Sequence, residues 1–171
     1  MSDLSITAAS GADLPVLREM LWRAFSWRET EPPPAPAQLP EAVERYVEGF
    51  ASRNSDHGLV ARDRDDGPAG AAWYRLLTGD ERGYGFVDDE TPEITVAVRP
   101  AFRRRRVGTT LVTRLLEDAW EAGLGQLSLS TEPENPALRL YERVGFVRVG
   151  ENGGSWTMVA QAPADPRRWS L

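Results

Sequence analysis

The sequence predicts an α/β domain on a mixed sheet, with elements in the order βααβββαβαββ. Three observations carry that expectation. Ile94, Val96 and Val98 alternate with Thr95 and Ala97 as a β-branched run of period two, which Pro100 helps to close. From Val107 the period changes, placing Val107, Leu111, Leu115, Leu116 and Trp120 on one helical face. Residues 126–130 alternate again, so strand, helix and strand follow in order, which implies a parallel pair joined by a right-handed crossover.

The other elements follow from local signals. Leu4, Ile6 and Ala8 alternate as a first strand. Asp13 is placed to cap a helix with Pro15 in its tolerant first turn and Leu14, Leu17, Leu21 and Ala24 on its apolar face. Residues 31–37 hold four prolines and predict a loop. A second helix is expected over residues 40–51, with Leu39, Val43, Tyr46, Val47 and Phe50 on one side. Residues 58–62 and 68–76 read as a hairpin across the polar turn 63–67. An acidic connection, 78–91, contains Gly83-Tyr84-Gly85-Phe86 and leads into the Ile94 strand. Gly123 marks the end of the helix that follows. Asn135-Pro136 opens the last helix as cap and first position; Ala137, Leu140, Tyr141 and Val144 form its face and Gly145 its end. Residues 146–149 and 155–160 flank Asn152-Gly153, a hairpin signal. Residues 1–162 form one domain, and 163–171 a polar tail carrying Trp169.

Composition narrows the chemistry. At 171 residues, 41% apolar and 27% charged, the chain reads as one globular domain with a substantial core. A net charge of −6 argues against nucleic-acid binding, which wants a basic face. With no cysteine there is no disulfide or thiolate nucleophile, and the single His57 makes a metal site unexpected. His57 reads as a strand-edge residue rather than a base. No basic-then-apolar leader and no long apolar run are present, so a cytoplasmic protein without a membrane partner is the expectation.

The central strand and helix supply the sharpest functional signal. A strand that feeds a helix through a short turn aims free N–H groups and the positive dipole end at one point. Arg103, Arg104, Arg105 and Arg106 flank that point, and Gly108 lets the backbone approach a ligand closely. Four arginines in a row are by themselves a solvated patch; between a buried strand and a helix N-terminus they point to a phosphate-bearing ligand.

Two stretches carry a resemblance. ITVAVRPAFRRRRVGTTL, residues 94–111, resembles the acetyl-CoA signature of the GNAT N-acetyltransferase superfamily, whose pyrophosphate loop reads R/Q-x-x-G-x-G/A. Arg103 matches its first position and Gly108 its last, while Arg104 and Arg106 stand where glycine is usual. A side chain at Arg106 is expected to point to solvent with a negative φ. NPALRLYERVGF, residues 135–146, resembles N-x-x-A-x-x-L/F-Y-x-x-x-G-F, with one residue fewer between Asn135 and Tyr141.

The resemblance covers nearly the whole chain. It implies a largely antiparallel sheet with a splayed central parallel pair, helices on both faces, and the first two helices beside the acceptor entrance. Acetyl-CoA would be the co-substrate, with no metal. The diphosphate would lie on Arg103, Arg104, Arg105, Arg106, Val107, Gly108 and Thr109. Val96 and Val98 would hold the pantetheine through main-chain groups, and Asn135 would contact it. Tyr141 would lie near the sulfur. The other readings are a helix cap for Asn135 and core packing for Tyr141.

Such proteins transfer acetyl directly, in a ternary complex, to a small-molecule amine, a lysine or a protein N-terminus. A phenol at Tyr141 can hydrogen-bond a departing thiolate. Glu93 is the first candidate for the base, where the family often has a carboxylate; Asp88, Asp89, Glu90, Glu132 and a water chain are rivals. Together these carboxylates would attract a cationic acceptor. The alternative is a non-catalytic acyl-CoA-binding module. Dimers are common in the family, although no segment here specifies one.

Overall fold

The computed structural model describes residues 4–35 and 37–165. Its elements are β1 (Leu4–Ala8), α1 (Leu14–Phe25), α2 (Glu41–Glu44), β2 (His57–Asp63), β3 (Gly67–Arg75), β4 (Glu93–Val98), α3 (Val107–Glu121), β5 (Gln126–Thr131), α4 (Leu138–Arg143), β6 (Val147–Asn152) and β7 (Ser155–Gln161). They form a seven-stranded sheet in the order β1-β2-β3-β4-β5-β7-β6. Every pairing is antiparallel except β4 with β5, as the strand–helix–strand order requires.

The sheet separates two apolar layers. On one face α3 sets Leu111, Val112, Leu115 and Leu116, all without solvent contact, against Tyr74, Ile94, Leu127 and Leu129. Each such aliphatic side chain contributes roughly 1.5–3 kcal/mol on burial. On the other, Leu17, Met20 and Leu21 of α1 join Val43, Tyr46, Val47 and Phe50 over Val60, Ala71 and Trp73. Ile94 and Val96 belong to the first layer and Ala97 to the second, so the period of two in β4 holds.

Four local expectations are corrected. The helix expected over 40–51 survives only as Glu41–Glu44. Beyond it the chain continues in i→i+3 bonds, and Gly49 and Ala51 take positive φ of 59° and 73°. Side chains from β3 claim the carbonyls a helix would have used. Trp73 Nε1 donates to Tyr46 O at 2.9 Å, and an Arg75 nitrogen donates to Arg45 O and Glu48 O at 3.1 and 2.6 Å. The rest of the Arg75 guanidinium meets Asp56 in a two-pronged pair, both side chains at most 1% exposed. The segment is thus shaped by its attachment to β3, which periodicity does not reveal.

The last helix begins at Leu138, not at Pro136. Asn135 is not its cap, which is Ala137; Asn135 Oδ1 accepts the Ala137 N–H at 2.9 Å in a turn just before the helix. At the other hairpin the turn is Gly153-Gly154, since Asn152 pairs with Ser155. Asp13 begins α1, but its carboxylate turns back to the Ser10 N–H at 2.8 Å and pairs with Arg62. Trp169 of the expected tail lies outside the described residues.

Candidate active site

β4 and β5 touch at one point. Glu93 pairs with Ser128, and no further parallel pair follows. Pro92 O accepts the Ser128 N–H at 3.0 Å, whereas the Arg99 N–H turns the other way, to Ala69 O at 2.8 Å. Main-chain groups alternate along a strand, so those of Val96 and Val98 point toward β5, into the gap where the strands part. The sequence expectation of a splayed pair is met, and the polar edge it leaves is the edge expected to bind pantetheine.

A cavity of about 850 Å³ runs through this gap. One mouth lies on the α3–α4 side, lined by Arg103, Arg104, Arg106, Val107, Gly108, Thr109, Asn135 and Tyr141. The N-terminus of α3 has no side-chain cap, so its first N–H groups remain available to an anion. Gly108 leaves little room: a Cβ there would meet Leu140 Cδ1 at 3.2 Å and Val98 Cγ2 at 3.5 Å.

The loop corrects two expectations. Arg106 and Arg104 both have φ of +61°, in the left-handed region, not the negative φ expected of Arg106. These are the two positions where the resemblance has glycine, so the loop keeps the glycine backbone while carrying arginine side chains, at a cost of roughly 1–2 kcal/mol each. Both arginines line the cavity and are exposed, so the Arg106 side chain keeps the solvent access expected of it. Arg105 does not line it; its guanidinium lies over the Phe102 ring, 4.9 Å from the centroid.

Tyr141 closes the α4 side. Its ring packs edge-on against Phe146 at 6.0 Å, and its hydroxyl makes no hydrogen bond among the described residues. Burial raises its pKa well above the ordinary phenol value, so it stays protonated.

The other mouth opens on the α1 side, lined by Arg23, Phe25, Trp27, Tyr46, Tyr84, Glu93 and Glu132. Glu93 is 4% exposed. Its Oε1 accepts the Tyr46 hydroxyl at 2.6 Å and the Gly85 N–H at 2.9 Å, while the Tyr46 oxygen accepts the Tyr84 N–H at 2.7 Å. Its Oε2 has no hydrogen-bond partner among the described residues. Burial raises Glu93 to about 7, and the hydrogen bonds from Tyr46 and Gly85 offset only part of that rise. Gly83 and Gly85 are required here: a Cβ on Gly83 would lie 2.0 Å from Glu93 Oε2, and one on Gly85 2.7 Å from the Leu129 carbonyl carbon.

The rivals to Glu93 are separated from the site or neutralised. Asp88 ties the Thr91 hydroxyl (2.7 Å) and Gln126, and neither it nor Asp89 or Glu90 lines the cavity. Glu132 lines it, but accepts from Arg28 at 2.5 Å and Trp27 Nε1 at 3.3 Å. Of the carboxylates expected to attract a cationic acceptor, Glu93 and Glu132 line the cavity, and Glu132 is paired with Arg28. His57 sits at the start of β2 against Asp118, 2.7 Å away, outside the cavity lining.

Sequence reasoning missed Arg23, Phe25, Trp27, Tyr46 and Tyr84 as site residues. Two signals were present: Arg23 follows Met20 by three on the buried side of α1, and two glycines bracket Tyr84 in an otherwise acidic connection.

The sequence profile described as "Acetyltransferase (GNAT) family" matches residues 14–146, well over half the chain. The chain belongs to the GNAT acetyltransferase family. Solved GNAT structures share its fold. An aminoglycoside acetyltransferase, AAC(6')-Ib, in complex with coenzyme A and kanamycin, is 23% identical, covers 98% of this chain and 100% of its own, and superposes with a TM-score of 0.67. The yncA protein of Salmonella typhimurium, with acetyl-CoA, is 21% identical over 95% and 97% of the two chains, TM-score 0.66. The PaiA N-acetyltransferase of Thermoplasma acidophilum, with coenzyme A, is 16% identical over 94% and 99%, TM-score 0.62. Comparison with curated proteins finds no match. The membership makes the chain an acyltransferase by family. Among the described residues no helix is long and apolar enough to cross a membrane.

Proposed function

We propose that the protein transfers the acetyl group of acetyl-CoA directly to a primary amine in a ternary complex. The observation that carries this reading is the single cavity with two chemically different mouths, one cationic with an uncapped helix N-terminus, the other ending on a buried carboxylate with one oxygen unpartnered. The kanamycin-bound neighbour supports an amine acceptor.

Acetyl-CoA supplies an activated thioester. N–H groups of Val107, Gly108 and Thr109, with the Arg103, Arg104 and Arg106 side chains, hold its diphosphate. Val96 and Val98 pair with the pantetheine as a strand edge would, and Asn135 contacts it. Glu93 Oε2 takes a proton from the incoming ammonium, directly or through a water, leaving a neutral amine to attack. The C–N bond forms, the C–S bond breaks, and a second proton leaves the nitrogen for solvent. Tyr141, held protonated, donates a hydrogen bond to the departing thiolate, whose pKa as a thiol is about 8.5. Because burial makes Tyr141 a weaker acid, its contribution is hydrogen bonding to the thiolate, which takes its proton from solvent.

An acceptor-library screen with acetyl-CoA, following thiol release, tests the reading. Acetyl-CoA should raise the thermal midpoint and DNA should not. CoA binding without turnover over a broad amine panel would instead favour the acyl-CoA-binding module.

A further inference from the structure

The charges at the α1-side mouth do not suit a polycation. Glu132 is paired with Arg28, so its charge is balanced. Glu19 shares one negative charge between two arginines: its Oε1 accepts Arg23 Nε at 2.9 Å and Arg99 Nε at 2.8 Å, and its Oε2 accepts a second Arg99 nitrogen at 2.7 Å. That triad carries a net positive charge. Arg23 is its cavity-lining member, with a side chain only 9% exposed. The bond to Glu19 is the one hydrogen bond its guanidinium makes among the described residues, so its two terminal nitrogens have none.

Position along the cavity follows from the packing of α1 on β4. Glu19 meets Arg99, just past the end of β4, while Phe25 stacks at 5.6 Å on Tyr46, whose hydroxyl holds Glu93 at the start of β4. The two elements run antiparallel, and Arg23 falls between those marks, one helical turn from Glu19. Phe25 and Tyr84, 5.7 Å apart and both more than 40% exposed, rim the same mouth with aromatic surface.

We infer that the acceptor is an amine that also carries an acid group, of the amino-acid type, with Arg23 pairing its carboxylate or equivalent anion while the amine faces Glu93. Phe25 and Tyr84 cover the remainder of the acceptor. A planar guanidinium fork suits an acid group, and a half-buried cation whose terminal nitrogens have no hydrogen bond among the described residues favours a ligand that fills them. This assignment rests on the acetyl-transfer reading of the site.

Matched acceptors test it. Phenylalanine and methionine are compared with phenethylamine and 3-(methylthio)propylamine, their decarboxylated forms, and with spermidine. The amino acids should show the higher kcat/KM. Arg23→Gln should raise their KM roughly ten- to a hundredfold, the loss expected of a charge-assisted hydrogen bond, and should collapse their preference over the decarboxylated amines. Arg23→Lys should recover part of that preference. Calorimetry with CoA confirms that each variant is folded. Spermidine as the best acceptor, or equal rates for acid and decarboxylated amine in the natural protein, would overturn the inference and leave acetyl transfer standing. If no amine is acetylated, the transfer reading fails first. Calorimetric titration of the CoA-loaded protein with the same pairs then still decides: acid-selective binding lost in Arg23→Gln supports the assignment, and no selectivity refutes it.

Discussion

The two mouths of the cavity are built on opposite plans. The α3 side is assembled mainly from one contiguous stretch, Arg103 through Thr109, in which backbone N–H groups and neighbouring arginines converge because they are adjacent in sequence, with Asn135 and Tyr141 added from the α4 segment. The α1 side is assembled from five separated segments: Arg23 to Trp27, Tyr46, Tyr84, Glu93 and Glu132. Its central group works through isolation: Glu93 gains its raised pKa from burial under Gly83 and Gly85, with one oxygen anchored twice and the other not at all. A contiguous site tolerates the loss of one side chain, whereas a site made by burial depends on each piece that excludes water.

The largest effects should therefore fall on the buried carboxylate and its counterpart across the cavity. Glu93→Gln keeps an oxygen for Tyr46 and Gly85 but cannot take a proton. Its kcat should fall about a hundredfold to ten-thousandfold, the usual span for general acid–base catalysis. In the natural protein activity should climb with pH through about 7, because Glu93 must be ionised to act. The variant should lose that limb and recover rate only as solution pH deprotonates the amine. Tyr141→Phe should lower kcat with acetyl-CoA affinity little changed, since the hydroxyl makes no bond in the protein itself and acts on the thiolate. A Glu93→Gln profile of unchanged shape would pass the role to a water chain.

The contrast between backbone and side chain on the α3 side comes next. Gly108→Val places a branched side chain where even a Cβ meets Leu140 at 3.2 Å, so CoA affinity should drop by roughly tenfold or more as the close approach is lost. Arg105→Ala removes a guanidinium that stacks on Phe102 outside the cavity lining and should change affinity by less than about threefold. Calorimetry on folded variants reads both. Equal losses would mean that the arginines, rather than the helix N-terminus, hold the diphosphate.

A smaller change sharpens the account of Glu93. Tyr46 donates a hydrogen bond that lowers the Glu93 pKa against the rise caused by burial. Tyr46→Phe should thus push the acidic limb of the rate profile upward by up to about one pH unit, without abolishing turnover. A downward shift would show that water had entered the space and relieved the burial.

The same contrast explains what the sequence could disclose. Period and turn signals specify β4, α3 and β5 because those residues meet their neighbours at fixed spacings. The arginine loop was legible as a turn for the same reason, and Glu93 was nominated because the resembled family often has a carboxylate at the head of that strand. Tyr46 was visible only as an apolar-face residue of a helix that mostly does not form. Its position is set by Trp73 and Arg75 of β3, which draw the carbonyls of residues 45–48 out of helical bonding. Arg23 was not singled out: its partner Glu19 is on the same helix, while the arginine that makes the triad net positive, Arg99, lies just past the far end of β4. Asp88, Asp89 and Glu90 were overvalued because proximity in sequence to Glu93 did not place them on the cavity.

The smallest effect concerns Arg106, where two contributions oppose each other. With φ at +61° its backbone is in a conformation that glycine adopts freely. Arg106→Gly relieves left-handed strain of roughly 1–2 kcal/mol, part of which is offset by the greater freedom of glycine in the unfolded chain. A net gain near 1 kcal/mol should raise the melting temperature of a domain this size by about 2–4 °C. The backbone path of the loop is unchanged, so the N–H groups that face the diphosphate keep their places. What is lost is one of the loop's three cavity-lining guanidinium groups, and in a solvated site with neighbours of like charge that should weaken CoA binding by less than about tenfold. Thermal unfolding and CoA calorimetry separate the two contributions. A stabilised variant with near-native affinity would mean that the loop binds through its backbone. A stabilised variant that has lost CoA would mean that Arg106 is held in its strained conformation to present its side chain to the phosphates.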